Sequence, residues 1–430
     1  MLQESRNLIF SNRRILSLWS AHTIALIGTN TGFVVLPLIA LNFAGASVFE
    51  MGILEAAESL AVMLFGIWMG RVPDAIGGRP SLIIANLLRA LALVTIPIAF
   101  VLGTIEFWHI FCVVFLIGAG SLLYQSALST MVVHEFNPSQ WVKVNSAFEG
   151  SSSVTETFGP GIGGFLVQVM SAPFAVLVDI ISYVLSALIC IFRREPDLRE
   201  DNDTSASEEP SDTKSPRFRG LSFIWQSPSL RAITLSAAHF NFFAAGFAGT
   251  VMYFMVRDLG FSSFQVGLTS VASGLLGIIA AVSVSRVVSF SSTRTLYALS
   301  YIISGAAALL VPVSLLLGSR QIAFVFVSFG LGIWAFAIVV NLVMSETIKL
   351  DQTPKQLVGE VSSSIRWVSI GVEPIGALIG GAVATFIGAG PWLVFASLGL
   401  ASAAIWVYFV GDLKGINISS LDDERDKATM

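Results

Sequence analysis

Acidic side chains stand in pairs inside stretches of this chain that are otherwise apolar. Glu55 and Glu58 are three residues apart and Glu149 and Glu156 are seven apart, spacings that put both carboxyls of each pair on one helix face. Arg366 and Glu373, also seven apart, form a mixed pair of the same kind. A charged side chain at the middle of a bilayer costs about 2.5–3.5 kcal/mol on insertion scales, so each needs a reason to be there. A carboxyl that holds a proton while buried and yields it to arriving water moves protons. Glu156, Glu58 and Glu55 are therefore candidate proton carriers, with a solvated or structurally paired acid as the competing reading for each. Arg366 and Glu373 are suited to meet acidic or basic groups of a bound compound. His22 and His239 have a side chain that titrates near neutrality, although a packed ring with a satisfied nitrogen is the simpler reading. Arg89 and Asp179 fall at different depths and are expected to hold the first set of helices together rather than to pair.

These residues must be positioned by membrane-crossing helices. Of 430 residues, 54% are hydrophobic and only 12% charged, too apolar for an ordinary soluble domain. A span needs roughly 20 apolar residues. Such runs occur at Ile15–Leu41, Met51–Gly70, Ser81–Leu102, Ile110–Val133, Val144–Val169 and Phe174–Phe192, and again at Leu230–Val256, Phe264–Val287, Tyr297–Leu317, Ile322–Val343, Val361–Ile387 and Trp392–Val410. The expectation is an all-α multi-pass membrane protein of twelve helices, six in each half. Lysine and arginine crowd one side: Arg13, Arg14, Arg71, Arg79, Lys143, the central loop, Arg286, Arg294, Lys349 and the tail, against Arg257 and Arg320 on the other. By the positive-inside rule both termini and the central loop are cytoplasmic. The first apolar run is too long for a cleavable signal peptide, so it reads as an uncleaved targeting segment.

The two halves read as copies. Adding 215 to Phe49, Gly52, Arg71 or Val72 gives Phe264, Gly267, Arg286 or Val287. Ser20-Ala21-His22 with Gly32 pairs with Ala237-Ala238-His239 with Gly249, and the glycine-rich runs at Pro160 and Pro374 form a third pair. Two parallel repeats with a site between them are the plan of an alternating-access transporter. The expected domains are an N-terminal bundle (1–192), a polar cytoplasmic linker (193–219) too poor in apolar residues to order itself, a C-terminal bundle (220–412) and a cytoplasmic tail (413–430).

Gly70-Arg71-Val72-Pro73-Asp74-Ala75-Ile76-Gly77-Gly78-Arg79 resembles the G-x-x-x-D-R-x-G-R-R/K signature of the major facilitator superfamily. It matches at Gly70, Asp74, Gly77 and Arg79 and departs from it at Ala75 and Gly78. The resemblance implies two pseudo-symmetric six-helix bundles. It also implies a latch in which Asp74 meets the cytoplasmic N-terminus of helix 11, where the dipole favours an anion. Gly159-Pro160-Gly161-Ile162-Gly163-Gly164 in helix 5 matches the end of the superfamily's antiporter signature, G-P-x-x-G-G, with Ser146 and Thr155 in place of its earlier glycines. Gly159, Pro160, Gly163, Gly164 and, in helix 11, Pro374 are the candidate gating residues, since glycine permits close helix contact and proline bends the helix. Looser patterns are similar to the bacterial drug/proton antiporter branch with macrolide-efflux proteins and the enterobactin exporter: Asn86-Leu87-Leu88-Arg89-Ala90, Leu177-Val178-Asp179 and Thr353-Pro354-Lys355. In that branch helix 1 often carries an acid; here Asn30 stands instead.

The resemblance implies that helices 1, 4, 7 and 10 line the path, which nominates Asn30, Tyr124, Gln125, Asn241, Trp334 and Asn341. Sparse polar groups in an apolar cavity suit an amphipathic compound better than a sugar. The expected function is export of such a compound (drug, macrolide-like molecule or siderophore) by proton antiport from the bacterial inner membrane, as a monomer; import, or lipid or metabolite movement by the same fold, is the alternative. The chain carries no H-E-x-x-H, P-loop or G-x-S-x-G, so neither an enzyme nor ATP coupling is expected, and no basic–aromatic cluster points to nucleic acid. Cys112 and Cys190 both lie in apolar spans, so no disulfide, metal or cofactor is expected.

Overall fold

The computed structural model describes residues 13–193, 219–288, 292–354 and 356–410. Most of the linker and tail, with Lys355, lie outside the described residues. The N-terminal half contains α1 (Arg13–Asn42), α2 (Val48–Met69), α3 (Gly78–Val101), α4 (Phe107–Glu135), α5 (Pro138–Met170) and α6 (Leu177–Phe192). The C-terminal half contains α7 (Pro228–Tyr253), α8 (Ser263–Val288), α9 (Thr293–Val313) and α10 (Arg320–Gln352). It ends with α11, broken at Val372 into Val358–Gly371 and Glu373–Ile387, and α12, made of Ala389–Ser402 and Ala404–Phe409.

The repeat is visible in how helices begin. Ser47 and Glu50 form a reciprocal cap at the start of α2: the Glu50 N–H donates to Ser47 Oγ (3.3 Å) and the Ser47 N–H to Glu50 Oε2 (2.8 Å). At the start of α8, Ser262 and Gln265 repeat the arrangement at 3.3 and 3.0 Å. Each of these residues lies 215 positions beyond its counterpart.

Within the first half, α1 packs on α5 and α6, α3 on α4 and α6, and α2 on α4. The second half repeats these contacts as α7 on α11 and α12, α9 on α10 and α12, and α8 on α10. The halves meet along α2–α11, α5–α8 and α2–α7. Large apolar side chains such as Leu91, Val101, Leu316 and Phe386 are exposed on the outside, as a lipid-facing surface requires.

Among the described residues ten helices are long and apolar enough to cross a membrane. The sequence led us to expect twelve such spans. The other two, α2 and α5, are 22 and 33 residues long, enough to span, and carry the acidic pairs on their faces. Both run between the bundles, where a polar face meets protein or a cleft rather than lipid. The short amphipathic helix Arg219–Gln226, which begins where the expected linker ends, packs its Ile224 beside Leu357 and Val361 at the start of α11.

Depth along the bundle matters for the site. One end, here the basic end, carries Arg14, Arg71, Arg79 and Arg193. At the other, the far end, the halves touch through glycine. A Cβ on Gly52 of α2 would lie 2.6 Å from the Ala377 carbonyl oxygen and 3.0 Å from Gly381 Cα in α11. A Cβ on Gly164 of α5 would lie 2.5 Å from the Ser263 carbonyl oxygen and 2.9 Å from Gly267 Cα of α8. Arg257, in the one π-helical turn among the described residues (Phe254–Asp258), donates across the halves to the Leu41 carbonyl in the last turn of α1. Toward the basic end the relation is reversed: a Cβ at Gly66, Gly150 or Gly277 would meet nothing within 4 Å, and one at Gly70 only the Gly66 carbonyl oxygen of its own helix at 3.9 Å. The halves are closed at the far end and parted at the basic end.

Candidate functional site

A cavity of about 730 Å³ lies between the halves. Asn30 and Phe33 of α1 and Glu156, Thr157 and Pro160 of α5 form its N-terminal wall. Ser270, Ser273 and Ile278 of α8 with Trp334 and Ile338 of α10 form the other. Its polar groups fall near the middle of their helices. Asn30 Nδ2 donates to Thr155 Oγ1 (3.1 Å), tying α1 to α5 beside the cavity. Ser273 Oγ donates to the Leu331 carbonyl oxygen (3.1 Å). Trp334 packs edge-on against Phe247 at 4.9 Å, and its indole N–H has no hydrogen-bond acceptor among the described residues. Glu156 is exposed to the cleft.

The lining comes from α1, α5, α8 and α10, so the expectation that α4 and α7 face this cavity is corrected. Of the nominated lining residues, Asn30 and Trp334 take that place. Tyr124 is buried in the first bundle, stacked with His22 (5.9 Å) and lying 4.7 Å from the Arg89 guanidinium carbon. Gln125 is exposed on α4 but does not line the cavity. Asn341 turns into its own bundle and donates to Ser300 Oγ (2.8 Å). Arg366 is exposed on α11, away from the cavity. The missed residues, Ser270 and Ser273, carried a signal: they stand 215 positions after Glu55 and Glu58.

Glu55, Glu58, Asn241 and Glu373 gather elsewhere, where α2, α7 and α11 meet. Glu373 opens the second segment of α11, and its carboxylate accepts from Ser59 Oγ of α2 (3.1 Å) and from Asn241 Nδ2 of α7 (3.2 Å). Asn241 Nδ2 also donates to the Ser369 carbonyl oxygen (3.1 Å), across the break in α11. Glu55 and Glu58 lie close enough to Glu373 to act on it electrostatically. Two acidic centres thus exist at mid-depth: Glu156 on the cavity, and this trio on the opposite side of the cleft.

The motif between α2 and α3 is not engaged as a latch in this conformation. Asp74 is exposed on the short helix Val72–Ile76, with no hydrogen-bond or ion-pair partner among the described residues. It does not reach α11, because the halves are parted at its end of the bundle. A Cβ at Gly70 would meet only the Gly66 carbonyl oxygen of its own helix (3.9 Å), Gly77 turns with φ 91°, and Arg79 donates to the Cys190 and Ile191 carbonyls of α6 (2.8 and 2.6 Å). The candidate gating glycines divide as well. Gly159 and Gly163 let α5 approach α1, where their Cβ atoms would meet Asn30 Cβ and the Thr31 carbonyl oxygen at 2.6 Å each, whereas Gly164 faces α8. Pro160 sits inside α5 with its carbonyl oxygen toward Gly267, and Pro374 follows the break in α11.

Arg89 and Asp179 are both buried and do not pair with each other. Arg89 Nη2 donates to Asn86 Oδ1 (2.6 Å), with its guanidinium carbon 4.7 and 4.2 Å from the ring centres of Tyr124 and Tyr183. His239 Nε2 lies 3.0 Å from the Gly399 carbonyl oxygen and 2.9 Å from Ser402 Oγ, a packed and satisfied ring. His22 is packed too, against Phe148 at 4.9 Å, but its Nδ1 has no partner among the described residues.

Two six-helix bundles related by repeat, closed at one end around a mid-depth cavity, define a membrane transporter fold. The model of the Major Facilitator Superfamily matches residues 18–369, and the chain belongs to that family of secondary transporters, which are not enzymes. It is 22% identical over 411 residues to the multidrug efflux pump Tap of Mycolicibacterium fortuitum, covering 91% of this chain and 94% of that one. It is 30% identical over 139 residues to the multidrug resistance protein MdtH of Cronobacter sakazakii, covering 32% of this chain and 33% of that one. The structure of a bacterial homologue of the iron transporter ferroportin superposes with a TM-score of 0.72 at 14% identity, covering 92% of this chain and 99% of that one.

Proposed function

We propose that this protein exports an amphipathic small molecule from a bacterial cytoplasm in exchange for protons, as a monomer in the cell membrane. The basic end, with both termini and the linker, is the cytoplasmic one. The bundles 1–192 and 220–412 rock about the mid-depth cavity, and the state described here receives substrate from inside. Asp74, with Gly70, Gly77 and Arg79 shaping its turn, engages α11 when the cytoplasmic side closes, and the glycine contacts at the far end then part.

The observation that carries this reading is the cavity itself: a mostly apolar lining in which Asn30, Trp334 and Glu156, with a few hydroxyls such as Ser270 and Ser273, are the polar handles. An apolar body with a cationic or hydrogen-bonding head fits such a lining, whereas a sugar demands a denser set of hydrogen bonds. Glu156 is exposed to the same space and so able to hold either a proton or a cationic head, which makes the two compete. The resemblance to Tap and MdtH supports the export direction. Ethidium sensitivity of a deletion strain tests that direction: the reading expects the strain to become more sensitive and the restored gene to reverse it, and an unchanged or increased tolerance contradicts export.

A further inference from the structure

We infer that Glu373 is the residue through which proton binding sets the balance between the two conformations. The inference rests on the proton-exchange reading above but assigns the coupling to a different residue from the cavity acid.

The argument begins with the hydrogen bonds that cross between the halves. Among the described residues they are few: Arg257 to Leu41 at the far end, and Ser59 to Glu373 at mid-depth. Only the second involves a carboxyl group. Glu373 accepts from each half at once, Ser59 on α2 and Asn241 on α7. It also sits just after the break at Val372, where α11 changes from a segment parted from α2 to one packed against it. A carboxylate at a hinge, bonded to both moving bodies, is placed to report its charge to both.

Ionised, Glu373 accepts two charge-assisted hydrogen bonds, which are stronger than neutral ones. Neutral, it keeps weaker versions, and the tether between α2 and α11 loosens. The charged groups facing it are Glu55 and Glu58 from α2 and Arg366 from its own helix. From α7 it meets Asn241, while His239 is turned to Gly399 and Ser402 in α12. The two neighbouring carboxyls make each proton on the trio matter to the others, since like charges at close range repel. The state described here, open at the basic end, is the one that an ionised Glu373 stabilises. A proton taken up by Glu373 weakens the bond from Ser59 and lets the halves rearrange, and its loss restores the tether.

The test needs no transported compound. Spin labels at Asn137→Cys and Asp351→Cys, both exposed at the basic end of opposite halves, report its opening in a Cys112→Ala/Cys190→Ala background. The protein is held in phosphatidylethanolamine–phosphatidylglycerol liposomes, and distance distributions are collected from about pH 5 to about pH 9. We expect the long-distance, basic-end-open fraction to rise with pH in the otherwise unmodified protein and in Glu156→Gln. We expect it to be pH-independent in Glu373→Gln. Ser59→Ala, which keeps the carboxylate, lowers the open-to-closed ratio at high pH by roughly tenfold, one charge-assisted hydrogen bond's worth. An invariant distribution in the parent, or a Glu373→Gln response like the parent's, overturns the inference. If Glu373→Gln does not fold, an unchanged ratio in Ser59→Ala overturns it. Ethidium export separates the two ideas: its absence contradicts the proposed function while leaving the pH-driven distance change standing.

Discussion

Gly52 and Gly267 stand 215 positions apart and make the same contact in opposite halves. Gly52 sets α2 against Gly381 of α11, with its Cβ position 3.0 Å from that Cα. Gly267 sets α8 against Gly164 of α5, also at 3.0 Å. Any side chain at either position has to push two backbones apart. The far-end closure is therefore a pair of equivalent seams, one contributed by each repeat, and opening that end means parting both.

Bulk at the seams should bias the protein toward opening there. Gly52→Leu and Gly267→Leu each remove the close approach, an overpacking of about 1–3 kcal/mol, and are expected to slow transport by about tenfold or more. Accessibility of a cysteine introduced near the far end should rise in both. Gly66→Ala, facing open space, should be indistinguishable from the parent in the same assays.

The basic end of the first bundle is held by a buried ion pair. Arg193 makes paired hydrogen bonds to Glu135 and donates to the Arg14 carbonyl oxygen (3.0 Å), joining α4, α6 and the start of α1. Removing one partner leaves the other charge unpaired, so Glu135→Leu should cost about 3–5 kcal/mol. Thermal unfolding in detergent should show the loss, and Glu346→Ala, which removes the exposed partner of Lys349, should not.

Trp334 is expected to grip the transported compound. Trp334→Ala removes an aromatic wall and an indole donor and should raise the ethidium concentration for half-maximal transport by about 3–10-fold. Trp334→Phe should recover part of that. Gln125→Ala, away from the cavity, should leave it unchanged, and equal effects at both positions would contradict the site described here.

Asp74 is exposed in the state described, so Asp74→Asn should leave folding stability unaltered. It should nevertheless reduce turnover several-fold, because the missing contact belongs to the closed basic end, where a carboxylate at a helix N-terminus contributes about 0.3–1 kcal/mol. Normal ethidium efflux in that variant would remove Asp74 from the latch.

Much of this architecture was legible in the sequence because bilayer physics writes it there. A span must be long and apolar, and each predicted run falls on a described helix, although α10 continues past Val343 to Gln352 and α5 begins at Pro138, ahead of Val144. The repeat offset was equally plain, and the Ser47–Glu50 and Ser262–Gln265 caps found in the folded chain obey it. What could not be seen was facing. Asn30 and Asn341 are both asparagines at mid-helix, yet one lines the cavity and the other bonds Ser300 within its bundle. Helix periodicity cannot separate these, because in a helix buried on several sides each face meets something. Ser270 and Ser273 were not nominated because serine in a membrane helix is common, and only the fold carries Ser273 to the Leu331 carbonyl oxygen of α10. Glu373 was noticed for its charge, but its two partners come from α2 and α7, and only the folded arrangement brings them together.

Proton-coupled export is tested most directly with the purified protein in liposomes, oriented so that the basic end faces outward. With an acidic lumen, ethidium added outside should accumulate inside, and its entry should drain lumenal protons measurably faster than in liposomes lacking the protein. Accumulation that proceeds equally well without a pH gradient, or no ethidium-dependent proton flux, would contradict the account.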